Sequence, residues 1–205
     1  AYQNAKYART YADFVERTRR AEAAAVPGSD KLTTAVARNL FKLMAYKDEY
    51  EVARLSLDPA LTARITAEFG TASRPSFQLH PPILRALGVS RKITFGPWFR
   101  RVFRLLYALR LLRGTPLDPF GHTRVRRVER ALVTEYRTVI ESLLGDLRPA
   151  TVERATEIAE LPDMVRGFED IKLRTVEAYR ARLAELRHGA DMPPHLASAV
   201  SQGRR

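Results

Sequence analysis

The chain has 205 residues, of which 45% are hydrophobic and 28% are charged, a balance typical of globular proteins. It contains no cysteine, which excludes disulfides, thiolate nucleophiles, and zinc or iron–sulfur clusters held by cysteine within these residues. No window of the sequence is long and apolar enough to span a membrane. We therefore expect a cytoplasmic protein without membrane contact.

Positive charge is concentrated in the middle third of the chain. The formal net charge is +12 at pH 7. Residues 57–122 hold ten basic residues and only three acidic ones, with no acid between Glu68 and Asp118. A segment of this sign attracts anionic partners, such as nucleic acid, phosphate-bearing cofactors or an acidic protein surface.

Turn and capping residues divide the first 70 residues into predicted helices. Pro27-Gly28 ends the first helix, Ser29-Asp30 offers a cap for the second, and Asp58-Pro59 starts a third. The helices are expected over residues 2–25, 30–57 and 59–69.

Prolines and glycines interrupt residues 71–96 and exclude a long helix there. Two short runs, residues 76–80 and 92–95, have strand-like composition and are predicted to pair as a β-hairpin. Apolar spacing then predicts helices over residues 98–113 and 124–144. Two further helices are predicted over residues 150–160 and 169–188.

These elements predict a mainly α fold. We expect one compact helical domain over residues 1–188, with about six or seven helices and a small β-hairpin in the middle. Residues 189–205 are predicted to be a disordered tail. Because the opening Ala1-Tyr2-Gln3-Asn4 has neither an initiator methionine nor a signal peptide, we expect the domain to be a piece of a longer polypeptide.

The sequence lacks the usual patterns of catalytic and cofactor sites. The ten glycines are scattered, so no phosphate-binding loop is assigned. The histidines do not have metal-binding spacing and are interpreted as surface or capping residues: His80, His122, His188 and His195. We therefore predict no catalytic, cofactor or metal site within the chain.

The densest polar cluster spans residues 46–51. Lys47 and Glu51 are four residues apart and Glu51 and Arg54 are three apart, so on one continuous helix they form a ladder. Together with Asp48, these residues have two interpretations. They are either a buried proton-handling site or a salt-bridge ladder, solvated or at an interface, beside two core tyrosines. The spacing favours the ladder.

A second candidate site interleaves arginines with aromatic residues over residues 91–113. Such interleaving is typical of grooves that bind single-stranded nucleic acid. The helical spacing also fits a simpler arrangement, with the aromatic residues in the core and the arginines outside, and this interpretation is favoured. The residues singled out as candidates for interaction are Trp98, Arg100, Arg101 and Arg104.

Four stretches of the sequence carry a resemblance to a known family. They read KLMAYKDEYEVARL (residues 42–55), FGPW (95–98), LRGTPLDPFG (112–121) and RVERAL (127–132). In this order they resemble the C-terminal region of bacterial indolepyruvate ferredoxin oxidoreductases of the fused, single-chain type. The resemblance extends from about Tyr7 to about Leu186, and the first stretch is its most specific part.

The resemblance implies a parent enzyme that oxidatively decarboxylates aryl pyruvates to aryl-acetyl-coenzyme A and reduces ferredoxin. It implies thiamine diphosphate, magnesium and iron–sulfur clusters as cofactors and coenzyme A as co-substrate, all bound by domains upstream of this segment. Since the segment lacks a Gly-Asp-Gly motif and cysteine, no catalytic residue of the family is assigned here.

The sequence therefore predicts an accessory structural and interaction domain that is not catalytic by itself. The expected partners are the upstream catalytic domains and a second copy of the chain. The acid-free middle third is expected to attract an acidic electron carrier such as ferredoxin, or the phosphates of coenzyme A. The alternative from another class is a basic helical module that binds nucleic acid.

Overall fold

The fold is mainly α, as predicted. The computed structural model describes residues 3–70, 76–79, 93–167 and 169–188. None of the helices in these ranges is both long and apolar enough to cross a membrane. The helices are α1 (Ala5–Ala25), α2 (Lys31–Met44), α3 (Glu49–Ser56), α4 (Pro59–Phe69), α5 (Arg100–Leu109), α6 (Arg124–Leu144), α7 (Val152–Glu160) and α8 (Glu169–His188). Short 3-10 turns cover Pro97–Phe99, Arg110–Leu112 and Leu161–Met164.

The strands are β1 (Phe77–Leu79) and β2 (Ile93–Phe95), and each lies within a run that the sequence predicts to be a strand. They pair antiparallel, with Phe77 opposite Phe95 and Leu79 opposite Ile93. The segment that joins them, residues 80–92, lies outside the described residues.

The prediction of one helix over residues 30–57 is wrong. The region forms two helices, α2 and α3, so the described residues hold eight α-helices rather than six or seven. Asp48 interrupts the helix because its backbone is extended and its side chain accepts a hydrogen bond from the Glu51 N–H at 2.8 Å, as an N-cap residue does. Apolar spacing continues across the break to Tyr50 and Ala53, which is why the sequence favours one helix.

The start of α2 is capped from another helix. The sequence predicts Asp30 as the cap, but the Asp30 side chain makes no capping hydrogen bond. The Glu22 carboxylate, fully buried on α1, accepts instead from the backbone N–H groups of Leu32 at 3.0 Å and Thr33 at 2.8 Å. The hydroxyls of Ser29 and Thr33 donate to the same carboxylate at 2.7 and 2.6 Å. The cap therefore depends on packing between two helices.

The ends of α4 follow the predicted signals. Asp58 caps the helix by accepting from the Ala60 N–H at 2.9 Å, and Pro59 occupies the first helical position. Gly70 ends the helix with a φ of +81°, a conformation that favours glycine.

The contacts within the chain divide it into two compact units. Unit 1 comprises residues 1–46 and 122–205, and unit 2 comprises residues 47–121. Unit 2 is thus continuous in sequence and interrupts unit 1. The single domain over residues 1–188 stays a prediction, and the tail predicted over residues 189–205 lies outside the described residues.

Unit 1 has a large helical core supplied by α1, α2, α6, α7 and α8. Its largest fully buried side chains include Phe14, Tyr136 and Tyr179. The Tyr136 hydroxyl donates to the backbone carbonyl of Ala159 at 2.9 Å. Because its polar atom is satisfied inside the core, Tyr136 is a structural residue.

Unit 2 has a smaller, aromatic core. Ala53 of α3 packs with Phe99, which ends the 3-10 turn before α5, and with Phe103 of α5. The partly buried strand residues Phe77 and Phe95 pack against this cluster. The rings of Phe77 and Phe99 each meet Phe103 edge-on, with centroids 4.9 and 5.0 Å apart. Phe99 and Phe103 therefore belong to the core, as the favoured interpretation of the Arg/aromatic region expects.

Candidate functional site

A buried ion pair lies behind the candidate residues of unit 2. The Arg113 guanidinium contacts the Asp48 carboxylate through two nitrogens, Nε to Oδ2 and Nη2 to Oδ1, both at 2.7 Å. The two side chains are only 5% and 3% exposed. Nη2 donates a hydrogen bond to Oδ1, and Nε lies at ion-pair distance from Oδ2. Burial removes competing water and strengthens the attraction between the two charges. Asp48 is therefore a structural anchor between α3 and the turn after α5.

A second buried carboxylate, Asp118, organises the loop that follows Arg113. It accepts from the Tyr50 hydroxyl at 2.9 Å and from the backbone N–H groups of Gly114 at 2.9 Å and Phe120 at 3.1 Å. The Tyr50 ring packs edge-on against Phe120, with centroids 5.4 Å apart. Asp118 and Tyr50 therefore join the loop to α3 inside unit 2.

Glycines of the loop make room for this network. Gly114 has a φ of +76°, a backbone conformation that residues with a side chain rarely adopt. A Cβ on Gly121 would lie 2.7 Å from Oδ2 of Asp118, closer than real Cβ contacts. The stretches over residues 42–55 and 112–121, which carry the family resemblance, thus meet in one buried network.

Acid is expected to weaken unit 2 through Asp118. Burial by itself raises the pKa of this carboxyl, but hydrogen bonds from Gly114, Tyr50 and Phe120 outweigh burial and hold the pKa below its usual value. The stabilisation is complete above the usual carboxyl pKa of about 4 and is lost progressively as the pH falls from there through the lower folded value.

Urea unfolding, followed by fluorescence of Trp98, the one tryptophan of the chain, measures this pH dependence. Between pH 7 and about pH 3, the unchanged protein should lose more unfolding free energy than Asp118→Asn does, because the amide does not titrate. Equal losses in the two proteins would contradict the role given to Asp118.

The rest of the first polar cluster lies nearer the surface. Lys47 is exposed and precedes α3, so the predicted ladder from Lys47 to Glu51 on one helix is wrong. Glu51 and Arg54 do pair, with Oε1 of Glu51 2.7 Å from Nη2 of Arg54, as their spacing predicts. The structure therefore divides the cluster into a buried part, Asp48 and Tyr50, and a more exposed part.

The arginines of the second candidate site differ in exposure, with Arg100 partly buried. Arg100 donates to the Thr62 hydroxyl at 3.3 Å. Arg101 and Arg104 are exposed on α5, and neither forms an ion pair with any residue that the structure describes. Trp98 is 61% exposed, which departs from the expectation that the aromatic residues of this region are internal.

Two of these arginines share one helix face with an exposed leucine. Arg101, Arg104, Leu105 and Ala108 are all exposed, and their spacing puts them on one side of α5. We call these four residues the outer face of α5. Mixed apolar and cationic surface of this kind is typical of contact with another molecule.

Unit 2 exposes other large apolar side chains as well. The helix α4 contains no buried residue, although isolated helices of its 11 residues are marginal in water. The residues with 61% to 80% of their surface accessible are Phe69, Trp98, Leu105, Leu111 and Leu117. Unit 2 therefore exposes apolar surface that its own small core does not cover and that a partner could bury.

A further buried carboxylate, Glu129 of unit 1, is not among the candidates that the sequence indicates. It is 5% exposed and pairs with Arg126, Nη1 to Oε2 at 2.6 Å, and with Lys172 of α8. The Arg126 guanidinium lies 5.6 Å from the centroid of the Tyr46 ring. The i,i+3 spacing of Arg126 and Glu129 allows this ion pair to be predicted from the sequence. The contact of Glu129 with Lys172, 43 residues away, cannot be predicted in this way.

The described side chains do not form a metal site. Residues 3–70, 76–79, 93–167 and 169–188 contain no group of three or more side chains placed to hold a metal ion. His122 is exposed, as predicted, and the side chains of the other histidines lie outside the described part of the chain.

Comparison with known proteins gives one result. No curated protein and no solved structure matches the chain. A family model with the description "family of unknown function" matches residues 1–185. The chain therefore belongs to the family of unknown function DUF6537.

Proposed function

We propose that this chain is an accessory interaction domain, not catalytic by itself, of a larger 2-oxoacid:ferredoxin oxidoreductase of the indolepyruvate type. The sequence resemblance supports the parent class. The observation that carries the interaction role is the surface of unit 2, where arginines without ion-pair partners among the described residues lie beside exposed apolar side chains.

The buried network of unit 2 supports this surface from within. The Asp48–Arg113 pair joins α3 to the turn after α5, and α3 itself packs on α5. The outer face of α5 is thus held on a rigid base. A preorganised surface loses little conformational entropy on binding, which favours recognition of a specific partner.

Charge indicates an acidic protein as the partner. Unit 2 holds twelve basic residues against six acidic ones, and among the acids Asp48 and Asp118 are buried and Glu51 pairs with Arg54. Little negative charge therefore offsets the exposed arginines, and complementary potentials speed and orient association. An acidic electron carrier such as ferredoxin fits this requirement. Acidic regions of the upstream catalytic domains fit it too, whereas a second copy of the surface would be repelled.

The test uses the full-length parent enzyme and ferredoxin. The variant Arg100→Gln/Arg101→Gln/Arg104→Gln should bind ferredoxin about tenfold more weakly at low ionic strength, and the difference should shrink as salt is added. The matched control removes three exposed arginines of unit 1: Arg9→Gln/Arg124→Gln/Arg174→Gln. The same two variants are also used to compare binding of the chain to the upstream catalytic domains.

Two results would contradict the proposal. If ferredoxin binding were weakened equally in the variant and the control, the attraction would depend on net charge and not on the arginines of unit 2. Tight binding of short oligonucleotides at physiological salt, lost in the unit 2 variant, would favour the nucleic-acid alternative.

A further inference from the structure

A groove in unit 1 lies among α6, α7 and α8 and has a volume of about 950 Å³. Its floor consists of Ala155, Ile158 and Leu183, and the hydroxyl-bearing residues Ser142 and Thr151 line its sides. Small-molecule sites in proteins are typically concave, largely apolar and about 300–1,000 Å³ in volume. The groove therefore has the size and lining of a ligand site.

The rim of the groove is strongly cationic. Glu135 pairs with Arg180 at 2.8 Å, and Asp146 pairs with Arg148 at 2.9 Å. The lining as a whole holds four arginines against these two acids: Arg148, Arg154, Arg180 and Arg187. The groove thus has an excess of two positive charges.

The excess charge belongs to two neighbouring arginines. Neither Arg154 nor Arg187 has a carboxylate partner in the described part of the chain. Nη2 of Arg154 donates to the backbone carbonyl of Arg187 at 3.3 Å, so the two residues are neighbours in the lining of the groove. A guanidinium has five N–H donors, so this bond leaves most of the donors of Arg154 available.

We propose that this groove binds an organic phosphate of nucleotide size, with the phosphoryl group between Arg154 and Arg187 and the less polar body along the apolar floor. Guanidinium groups match phosphoryl oxygens in geometry, and a phosphate monoester carries nearly two negative charges at neutral pH. Two arginines without acidic partners among the described residues therefore suit a phosphoryl group better than a single carboxylate. The phosphoryl group can come from a soluble phosphate ester or from a lipid headgroup.

Calorimetric titration of the full chain at physiological salt tests the proposal. The probes are adenosine diphosphate, inorganic pyrophosphate, and vesicles of phosphatidylcholine with phosphatidic acid. Arg154→Gln/Arg187→Gln should weaken binding about tenfold or more, because charge-assisted hydrogen bonds are lost. The matched control Arg9→Gln/Arg174→Gln removes the same charge from exposed positions of unit 1 that do not line the groove and should change binding by less than about twofold.

The outcomes separate the sources of the phosphoryl group. Binding of adenosine diphosphate that the groove variant loses supports a soluble ligand. Binding of vesicles alone, lost in the same variant, supports a headgroup. Arg154→Lys keeps the positive charge but loses the planar array of guanidinium donors, so it should bind the ligand more weakly than the unchanged protein and more tightly than the glutamine variant. If the double variant fails to fold, Arg187→Gln alone replaces it, since Arg187 is exposed.

Two results would overturn the proposal. One is the absence of binding of all three probes to the unchanged protein. The other is an equal loss of binding in the groove variant and in the control. Neither result bears on the ferredoxin measurement, so the two proposals fail separately.

Discussion

Replacing Arg113 with methionine is expected to lower the free energy of unfolding of unit 2 by about 3–5 kcal/mol. The change leaves the Asp48 carboxylate, which is 3% exposed, without the guanidinium that contacts both of its oxygens. An unpaired charge in a buried position loses its hydration without compensation, and this is the main cost. Urea unfolding followed by Trp98 fluorescence and by circular dichroism measures the loss.

Two variants serve as controls for this prediction. Arg101→Met removes an exposed arginine and should change the unfolding free energy by less than about 0.5 kcal/mol. Asp48→Asn/Arg113→Met removes both charges and should recover part of the stability, although the introduced amide must still cap α3. A loss below about 1 kcal/mol for Arg113→Met would mean that Asp48 is not a buried anchor.

Replacing Glu22 with alanine is expected to lower the free energy of unfolding of unit 1 by about 3 kcal/mol. The substitution leaves the backbone N–H groups of Leu32 and Thr33 at the start of α2 without their acceptor. Buried donors that lose their partners keep the full cost of desolvation, and the Ser29 hydroxyl loses its acceptor as well. Urea unfolding followed by far-ultraviolet circular dichroism measures the effect on the helices.

The sequence itself supplies the control for Glu22. Asp30 is the residue that short-range rules predict as the cap, and Asp30→Ala should change the unfolding free energy by less than about 0.5 kcal/mol, because its side chain makes no capping bond. Glu22→Gln retains one acceptor oxygen, so its loss of unfolding free energy should lie between the losses of Asp30→Ala and Glu22→Ala. If Asp30→Ala were as costly as Glu22→Ala, the cap from α1 would not exist as described.

The candidate site was predictable only in part. Spacing on α5 places Arg101 and Arg104 outside and Phe103 inside, because one helix face of unit 2 must be apolar to form a core. The same spacing also places Trp98 inside, yet it is exposed, since the aromatic core of unit 2 is filled by other rings. Exposure of a large side chain depends on which residues occupy the space around it.

The sequence by itself determined the elements whose signals are local. Asp58, Pro59 and Gly70 set the ends of α4, and apolar spacing sets the extent of α6, because caps, turns and helical periodicity act within a few residues. The mainly α class follows from the same signals.

Only the tertiary structure decided which distant groups the buried carboxylates contact. Asp48 meets Arg113, Glu22 meets the start of α2, and Glu129 meets Lys172, across separations from 10 to 65 residues. None of these contacts follows from the helix caps and apolar spacing that can be read from the sequence. At Asp48 the apolar spacing even predicts one continuous helix where the chain breaks between α2 and α3. The physical reason is that a carboxylate removed from water must be compensated, and the groups that compensate it come from whichever elements the fold brings together.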